Sequence, residues 1–279
     1  MSEAPPLAAP APLLTFAIVE AIRAAARAGR ATLECSLDLG RSQSSVEPGT
    51  DTFRWCQRHW PLPTAKERTV YHYEDDRFVP VSRYTSALIK LVPTDWGAPT
   101  FEIDGIKMLP TSKVSPYEDA RAKVQLIAPT GRVVLDTCGG LGYFAAWCVA
   151  EGARAVRSFE KSADVIWLRS LNPWSPVAGG VLSLTHGDVR DALPTLADAS
   201  IGAILHDPPR FGIAGELYSL AFYAELARVL ERRGRLFHYT GTPNKLTSGR
   251  DVPAEVSKRL KAAGFNTEPK LDGVLAIRR

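Results

Sequence analysis

Residues 133–144 read VVLDTCGGLGYF, and this stretch decides the fold. Its apolar start predicts a short buried strand over residues 132–136, which ends in the acid Asp136. A glycine-bearing turn follows, and residues 143–151 then predict a helix. In doubly wound sheets ligands bind at the carboxyl ends of the strands, where glycines let the backbone come close and the helix offers free N–H groups. The stretch therefore predicts a strand–turn–helix unit that binds a ligand.

The same rhythm continues to the end of the chain. Further short apolar strands are predicted at residues 155–159, 181–184, 201–205, 235–239 and 273–277. Helical runs lie between them at residues 164–171, 222–230 and 252–263. Short apolar strands that alternate with helices indicate a mainly parallel sheet covered on both faces. We therefore predict an α/β fold for the second half of the chain.

The first half of the chain has a different pattern. Strand-forming residues alternate at 32–39 and recur at 68–73, and residues 101–108 look like a hairpin with its tip at Asp104-Gly105. These patterns predict a small antiparallel β unit. The predicted organisation is a tail and helix over residues 1–30, a β-rich domain over 31–114 and a Rossmann-like domain over 115–279.

Composition narrows the class of protein. The 279 residues are 45% hydrophobic and 23% charged, so a sizeable core can be buried. The net charge of +4 is spread along the chain without a dense basic stripe, which permits an RNA or acidic partner without indicating one. Glu20, Arg23 and Arg27 stand at helical spacing within the apolar stretch 13–28, so we expect an amphipathic helix rather than a signal peptide. No apolar run reaches the length of about 18 residues that a membrane span needs, so no membrane partner is expected.

The cysteines bear on metal binding and on the cellular compartment. They form neither a Cys-x-x-Cys pair nor a Cys/His cluster, and they stand far apart at Cys35, Cys56, Cys138 and Cys148. This spacing argues against a disulfide framework and against a structural zinc site. We therefore expect no metal and a reducing, cytoplasmic location.

Three further acids stand at the ends of successive predicted strands. Glu160 follows 24 positions after Asp136, where an acid can accept hydrogen bonds from both ribose hydroxyls of a nucleotide. Asp188 follows the strand at 181–184 and is placed to meet an adenine amino group, and Asp207 follows the strand at 201–205. A single such acid can equally well cap a helix or a turn. Four acids at successive strand ends indicate instead a nucleotide-like ligand.

With these motifs, the sequence resembles the class I S-adenosylmethionine-dependent methyltransferases over residues 133–277. The resemblance implies a Rossmann-like sheet with a reversed C-terminal strand, here preceded by the small antiparallel β unit, and S-adenosylmethionine as the cofactor. It implies that the cofactor is held by Asp136, Cys138, Gly140, Gly142, Glu160, Lys161, Asp188, Val189 and Asp207. Cys138 stands where the usual loop has its first glycine. The same cysteine breaks the G-x-G-x-x-G pattern of an NAD-binding domain, which is the competing interpretation.

A second resemblance is to the spermidine synthase family. Residues 207–230 read DPPRFGIAGELYSLAFYAELARVL, and residues 115–119 read SPYED. Together with the hairpin at 101–108, these segments are similar to that family's acid loop, helix and tyrosine-containing helix start. The departures are Leu141, where the family has an acid in its glycine loop, Met108 in place of a glutamine, and Glu118 in place of a histidine or glutamine. The resemblance implies a shared fold and a different reaction.

The segment 206–211 also resembles the Asp/Asn-Pro-Pro-Tyr motif of methyltransferases that modify amide or exocyclic nitrogens. Here the fourth residue is an arginine and the aromatic residue comes one place late. Because methyl transfer requires one proton to be managed, we predict that Asp207 orients or deprotonates the acceptor, with His206, His238 or Tyr239 as helpers. For any single one of these three helpers, ordinary packing or hydrogen bonding is the stronger explanation, since His and Tyr are often partly buried. The residues expected to contact the acceptor are Pro208, Pro209, Arg210, Phe211 and Tyr117. Two consecutive prolines stiffen such a loop, although they also serve simply to end a strand.

These observations predict an S-adenosylmethionine-dependent methyltransferase whose acceptor is a small molecule, an RNA or a protein. An aminopropyltransferase that uses decarboxylated S-adenosylmethionine stays open as an alternative. A noncatalytic cofactor-binding or RNA-associated protein is the alternative from a different class. An exposed edge of the β unit also leaves a homodimer open.

Overall fold

The computed structural model describes residues 11–209, 214–241 and 251–279. The chain consists of two units. The first comprises Met1–Pro116 and Leu171–Trp174, and the second comprises Tyr117–Ser170 and Ser175–Arg279. In the described part of the chain, no helix combines the length and the apolar character that crossing a membrane requires.

The first unit is built from antiparallel strands and one helix. Its helix α1 spans Phe16–Arg27 and is capped by Thr15, whose hydroxyl accepts from the Ile18 amide. Its strands are β1 (Leu14–Thr15), β2 (Leu33–Cys35), β3 (Ser44–Val46), β4 (Thr52–Trp55), β5 (Arg58–Pro61), β6 (Val70–Glu74), β7 (Arg77–Pro80), β8 (Ser82–Tyr84), β9 (Leu88–Val92), β10 (Thr100–Ile103) and β11 (Ile106–Lys107). They form sheets in the orders β1-β6-β7 and β11-β10-β9-β8, and the pairs β2-β3 and β4-β5. The predicted antiparallel β unit is therefore confirmed.

Local sequence explains two turns of the first unit, the hairpin between β10 and β11 and the turn that follows β2. The hairpin between β10 and β11 turns at Asp104 and Gly105, which both have positive φ, as the two-residue loop predicts. The prediction of a strand over residues 32–39 is wrong after Cys35, where the strand β2 ends. There Ser36 and Asp38 side chains accept hydrogen bonds from the backbone amides of residues 38 and 40–42, which bends the chain into a turn.

The second unit contains a mixed sheet flanked by helices. Its strands are β12 (Val133–Asp136), β13 (Ala155–Glu160), β14 (Leu182–His186), β15 (Ile201–His206), β16 (Leu230–Tyr239), β17 (Phe265–Lys270) and β18 (Gly273–Arg278). The spatial order is β14-β13-β12-β15-β16-β18-β17. Strands β12 to β16 run parallel, and β18 is antiparallel to both of its neighbours. This sheet, with its reversed last strand, is that of a Rossmann-like class I methyltransferase fold, so the predicted fold class is confirmed.

The helices that accompany this sheet follow the predicted rhythm. They are α2 (Pro116–Ile127), α3 (Tyr143–Ala150), α4 (Ala163–Leu171), α5 (Val189–Ala192), α6 (Leu220–Val229) and α7 (Val252–Ala262). Helix α6 passes directly into β16, which therefore starts five residues before the predicted strand at 235–239. Strand β17 was not predicted, because only Phe265 of its six residues is buried and Pro269 interrupts the run. Proline is tolerated here since β17 is an edge strand.

Candidate active site

The glycine loop joins β12 to α3 and is tied to the neighbouring strand β13. Asp136 is fully buried, and its Oδ2 accepts a hydrogen bond of 2.8 Å from the Ser158 hydroxyl. The Gly140 amide donates to Glu160 Oε2 at 2.9 Å, and the Ser162 amide donates to Oε1 at 2.8 Å. Each carboxylate oxygen keeps a further lone pair, so Glu160 still has capacity to accept from ribose hydroxyls.

Two glycines of the loop are required by the side chains against which they pack. A Cβ at Gly139 would lie 2.5 Å from Ser158 Oγ, and a Cβ at Gly142 would lie 2.5 Å from Arg169 Cζ. Gly142 also has φ +82°, the left-handed region that favours glycine. At these two positions, contacts with the protein itself thus add to the expected close approach of a ligand.

Replacing Gly142 by alanine should therefore cost more stability than its backbone conformation alone explains. Gly131 is the matched control because it has φ +70° and no atom within 4 Å of the added Cβ. We expect Gly131→Ala to lower the free energy of unfolding by about 1–2 kcal/mol, and Gly142→Ala by clearly more. Urea unfolding of both variants measures the difference. Equal losses would show that the Arg169 contact relaxes without cost.

Arg169 on α4 is a buried cation that the sequence did not single out. It is 4% exposed and lies beside the carboxylates of Asp136 and Glu160. Burial lowers the pKa of Arg169, while these two carboxylates oppose that change. Burial raises the pKa of Asp136 to about 6 and also raises that of Glu160, and Arg169 counteracts both shifts. Buried carboxylates and one buried guanidinium thus support the glycine loop.

A second charged cluster surrounds Lys123, which is 1% exposed on α2. Its Nζ lies 2.7 Å from Asp119 Oδ2 and 3.1 Å from Asp272 Oδ2, and 4.6 Å from the centre of the Tyr239 ring. Burial by itself lowers the pKa of Lys123, but Asp207, Asp119 and Asp272 outweigh this effect and raise it to about 12. Lys123 therefore stays charged at physiological pH and holds three carboxylates together by electrostatic attraction.

Asp207 directly follows β15, beside the glycine loop's strand. Burial raises its pKa to about 7, Lys123 opposes this shift, and Asp272 and Asp119 add to it. The pKa of Tyr239, at the end of β16, is also raised, first by burial and then by Asp207. A carboxyl group that titrates near neutrality can both accept and release a proton at physiological pH. Asp207 is thus suited to act as a general base.

The two predicted helper histidines lie in the core instead of at the acceptor side. His206 and His238 are both 0% exposed, with ring centroids 4.4 Å apart. His206 Nε2 lies 3.0 Å from the Leu217 carbonyl and Nδ1 lies 2.7 Å from the Thr137 hydroxyl. His238 Nδ1 lies 2.7 Å from the Tyr239 carbonyl and Nε2 lies 2.8 Å from the Tyr223 hydroxyl. Because every ring nitrogen has a protein partner, the expectation that these histidines help at the acceptor is corrected to a structural role.

Acid should destabilise the protein through these histidines. Burial lowers the pKa of His206 to about 4 and that of His238 well below its usual value. Between pH 6.5 and pH 4 the unfolded chain therefore binds protons at these histidines that the folded protein does not bind. Their contribution to the free energy of unfolding is complete above pH 6.5 and decreases as the pH falls toward 4. We expect His238→Gln to be less stable than the parent at pH 7 by about 1–3 kcal/mol, with a shallower loss toward acid. Thermal unfolding between pH 7 and pH 4.5 measures both effects, and an unchanged slope would contradict the assignment.

The remaining predicted site residues fall into two places. Tyr117 packs its ring against Tyr143 and Trp147 at centroid distances of 5.4 and 4.9 Å, next to the start of α3. Pro208 and Pro209 follow Asp207 directly, and the Pro209 carbonyl accepts from the Tyr218 hydroxyl. The predicted acceptor contacts Arg210 and Phe211 lie outside the described residues.

On the predicted adenine side, Asp188 caps α5 by accepting from the Arg190 amide at 3.0 Å. Its carboxylate also binds the Arg190 guanidinium and Lys161, which hold its pKa well below the usual range. Lys161 is 70% exposed, and Val189 is buried. The contacts of these residues with adenine stay a prediction. Across residues 11–209, 214–241 and 251–279, no group of three His, Cys, Asp or Glu side chains is placed to hold a metal ion.

Comparison with known proteins shows a relative of this chain. No protein-family model matches the chain. An uncharacterized protein of Methanocaldococcus jannaschii, MJ1233, is 38% identical over 213 residues, which make up 76% of this chain and 73% of the relative.

Solved structures with the same fold include two spermidine synthases. One, in complex with the transition state analogue AdoDATO, aligns with a TM-score of 0.56 at 13% identity, over 71% of this chain and 72% of that one. Spermidine synthase from Thermotoga maritima aligns with a TM-score of 0.54 at 13% identity, over 71% of each chain. At this identity the likeness shows the fold alone.

Proposed function

Since the chain belongs to the same family as MJ1233 of Methanocaldococcus jannaschii and has a class I methyltransferase-like fold, we propose that it is an S-adenosylmethionine-dependent methyltransferase. Bound S-adenosylmethionine supplies a methyl group activated by attachment to a sulfonium. The chain's own residues have to hold the cofactor, align the acceptor and manage one proton.

The residues present suit such a cofactor. Helix α3 begins directly after the glycine loop and offers the backbone N–H groups of its first turn. Glu160 at the end of β13 accepts from the Gly140 and Ser162 amides and retains some capacity to accept from a hydroxyl. We propose that Asp136, Cys138, Gly140 and Gly142 hold the methionine end and that Glu160 with Lys161 holds the ribose. Asp188 and Val189 hold the adenine in this proposal.

The observation that carries the proposed mechanism is the position and titration of Asp207. It follows the strand next to the glycine loop, and burial raises its pKa to about 7. In the proposal its carboxylate accepts a proton from the acceptor or orients the acceptor's lone pair, while Tyr239 and the Lys123 cluster keep the carboxylate in place. A base whose pKa lies near the working pH is efficient in proton transfer.

A second candidate function has its own support. The two spermidine synthases share the fold, and Asp207, Asp119 and Asp272 give the site a carboxylate excess over Lys123. Excess negative charge favours a cationic amine, as an aminopropyltransferase requires. Against this, the glycine loop carries the apolar, buried Leu141 where the spermidine synthase family has an acid.

Calorimetric titration with S-adenosylmethionine, S-adenosylhomocysteine and decarboxylated S-adenosylmethionine separates the candidates. The proposal expects the first two to bind and the third to bind at least tenfold more weakly, which corresponds to about 1.4 kcal/mol. Preference for the decarboxylated compound would favour aminopropyl transfer. Binding of none would refute the cofactor assignment. A noncatalytic binding protein would be favoured by a different outcome. The parent and Asp207→Ala would then bind S-adenosylmethionine equally well, and the parent would transfer no group in any acceptor screen.

A further inference from the structure

The guanidinium of Arg169 has an unusual environment. Its Nε, Nη1 and Nη2 atoms are all buried, and within the described residues none of them has a hydrogen-bond partner. Buried polar atoms are almost always hydrogen-bonded, so three unsatisfied nitrogens in one side chain need an explanation. Because these atoms are closed off from solvent, a ligand that approaches the loop from the solvent side does not reach them. Arg169 therefore acts on its neighbours and not by direct contact with a cofactor.

Those neighbours are the acids and glycines of the proposed cofactor site. Asp136 from β12 and Glu160 from β13 lie close enough to alter the pKa of Arg169, and Arg169 alters theirs. The loop follows the outline of the guanidinium, since a Cβ at Gly142 would lie 2.5 Å from Cζ and a Cβ at Gly139 would lie 3.3 Å from Nη1. The Arg169 side chain thus both packs against the glycines of the loop and interacts electrostatically with the two acids beside it.

Among the described residues, the other titratable groups around these acids do not supply a buried positive charge, since Lys161 beside Glu160 is 70% exposed and pairs with Asp188. The thiols of Cys138 in the loop and Cys148 on α3 have pKa values raised by burial, so both are neutral. Asp207 on the far side of Asp136 adds negative charge, and it raises the pKa of the Cys138 thiol as well. Within the part of the chain that the structure describes, Arg169 is thus the buried cation that compensates these two carboxylates.

We propose that Arg169 is a positioning residue for the cofactor site, which keeps Asp136 and Glu160 ionised and moulds the glycine loop around its guanidinium. This inference rests on the proposed function, in which those two acids hold the methionine end and the ribose. Without the arginine, only hydrogen bonds, from the Ser158 hydroxyl and from backbone amides, oppose the effect of burial on the pKa values of the two carboxyl groups. They then take up protons at neutral pH and lose part of their capacity to accept hydrogen bonds from a ligand.

The test compares Arg169→Met, which removes the charge at similar length, with Arg169→Lys, which keeps the charge without the planar fork. Arg157→Met is the matched control, because Arg157 is an exposed arginine on the same strand as Glu160. The dissociation constant of S-adenosylmethionine is measured by calorimetry between pH 6 and pH 9. We expect Arg169→Met to bind about tenfold or more weakly at pH 7 and to approach the parent toward pH 9, whereas Arg169→Lys and Arg157→Met follow the parent's pH profile. Parent-like binding by Arg169→Met, or a loss that is equal at every pH, would overturn the proposal.

A second measurement does not depend on the cofactor. A carboxyl group whose pKa is raised in the folded state makes the protein less stable as the pH rises from the unfolded-state pKa to the folded-state pKa. The deficit in melting temperature of Arg169→Met relative to the parent should therefore grow from pH 5 to pH 8, while that of Arg169→Lys stays constant. If the parent itself binds no S-adenosylmethionine, the proposed function fails, and this thermal series still decides whether Arg169 compensates the two acids. A deficit that is the same at pH 5 and pH 8 would refute the role of its charge.

Discussion

Asp207→Asn should abolish group transfer and at the same time make the protein more stable above pH 7. Burial raises the pKa of Asp207 to about 7, from a usual value of 3.8, so the folded state holds the ionised carboxylate at a cost. That cost develops as the pH rises from about 4 to 7 and is constant above this range. At about 1.36 kcal/mol per pKa unit, it reaches a few kcal/mol. Asparagine has nearly the same shape and carries no charge, so it removes the cost together with the base.

The two effects can be measured separately. Urea unfolding of Asp207→Asn and the parent at pH 5 and pH 8 should show a gain in the variant that is clearly larger at pH 8 than at pH 5. Transfer, followed as release of S-adenosylhomocysteine with an acceptor found by screening, should fall by roughly 10²–10⁴-fold. Asp95→Asn replaces an exposed aspartate of the first unit and serves as the control, with neither effect expected. A gain over the parent that is no larger at pH 8 than at pH 5 would show that Asp207 is not held ionised at a cost.

Lys123→Met should destabilise the protein more than any other single change considered above. The lysine is buried and has Asp119 and Asp272 within 3.1 Å of its Nζ. Removing it leaves buried carboxylates without a counter-charge, which typically costs about 3–5 kcal/mol. Protonation relieves a buried carboxylate that has lost its counter-charge, so the loss should be largest at high pH and smaller near pH 5.

Lys258→Met is the control for this prediction, since Lys258 is exposed on α7 and should change stability by less than about 0.5 kcal/mol. The double variant Lys123→Met with Asp272→Asn should recover part of the lost free energy of unfolding, because it removes one of the uncompensated acids. Should Lys123→Met unfold in urea like the parent at pH 8, the cluster contributes nothing to stability and the electrostatic account is refuted.

The sheet could be predicted because its determinants are local. Each central strand is a short apolar run that ends in a polar or acidic residue, and each is followed by a helical pattern. The rule that ligands bind at the carboxyl ends of such strands then singled out Asp136, Glu160 and Asp207. The edge strand β17 could not be predicted, because a strand with one exposed face and one free edge contains few apolar residues.

The buried cations could not be located from the sequence, because their partners come from distant parts of the chain. Lys123 forms an ion pair with Asp272, and Arg169 lies near enough to Asp136 for each to shift the other's pKa. One signal was nevertheless present. Lys123 stands on the same helical face as Val124 and Ile127, and a charge on an apolar face indicates a buried ion pair.

The histidines were misassigned because side chains alternate along a strand. His206 directly precedes Asp207, and His238 directly precedes Tyr239. Neighbouring residues of a strand point to opposite sides, so a residue next to a site residue belongs to the other face. There the histidines pack with Tyr223 under α6. Proximity in sequence to a catalytic candidate is therefore weak evidence for a shared role.

The fit between Arg169 and the glycine loop has a consequence for how relatives of this protein can diverge. Gly139 has an ordinary backbone conformation, so a larger residue is kept out by its surroundings, chiefly Ser158 Oγ at 2.5 Å from an added Cβ, with Arg169 Nη1 and the Phe159 carbonyl each at 3.3 Å. Gly142 also has a positive φ. In chains that retain Ser158 and Arg169, both positions should therefore remain glycine. In chains that replace both side chains by smaller ones, position 139 should accept alanine while position 142 stays glycine. The loop and the helix behind it should thus evolve as one linked set of residues, with substitutions at positions 139, 158 and 169 occurring together.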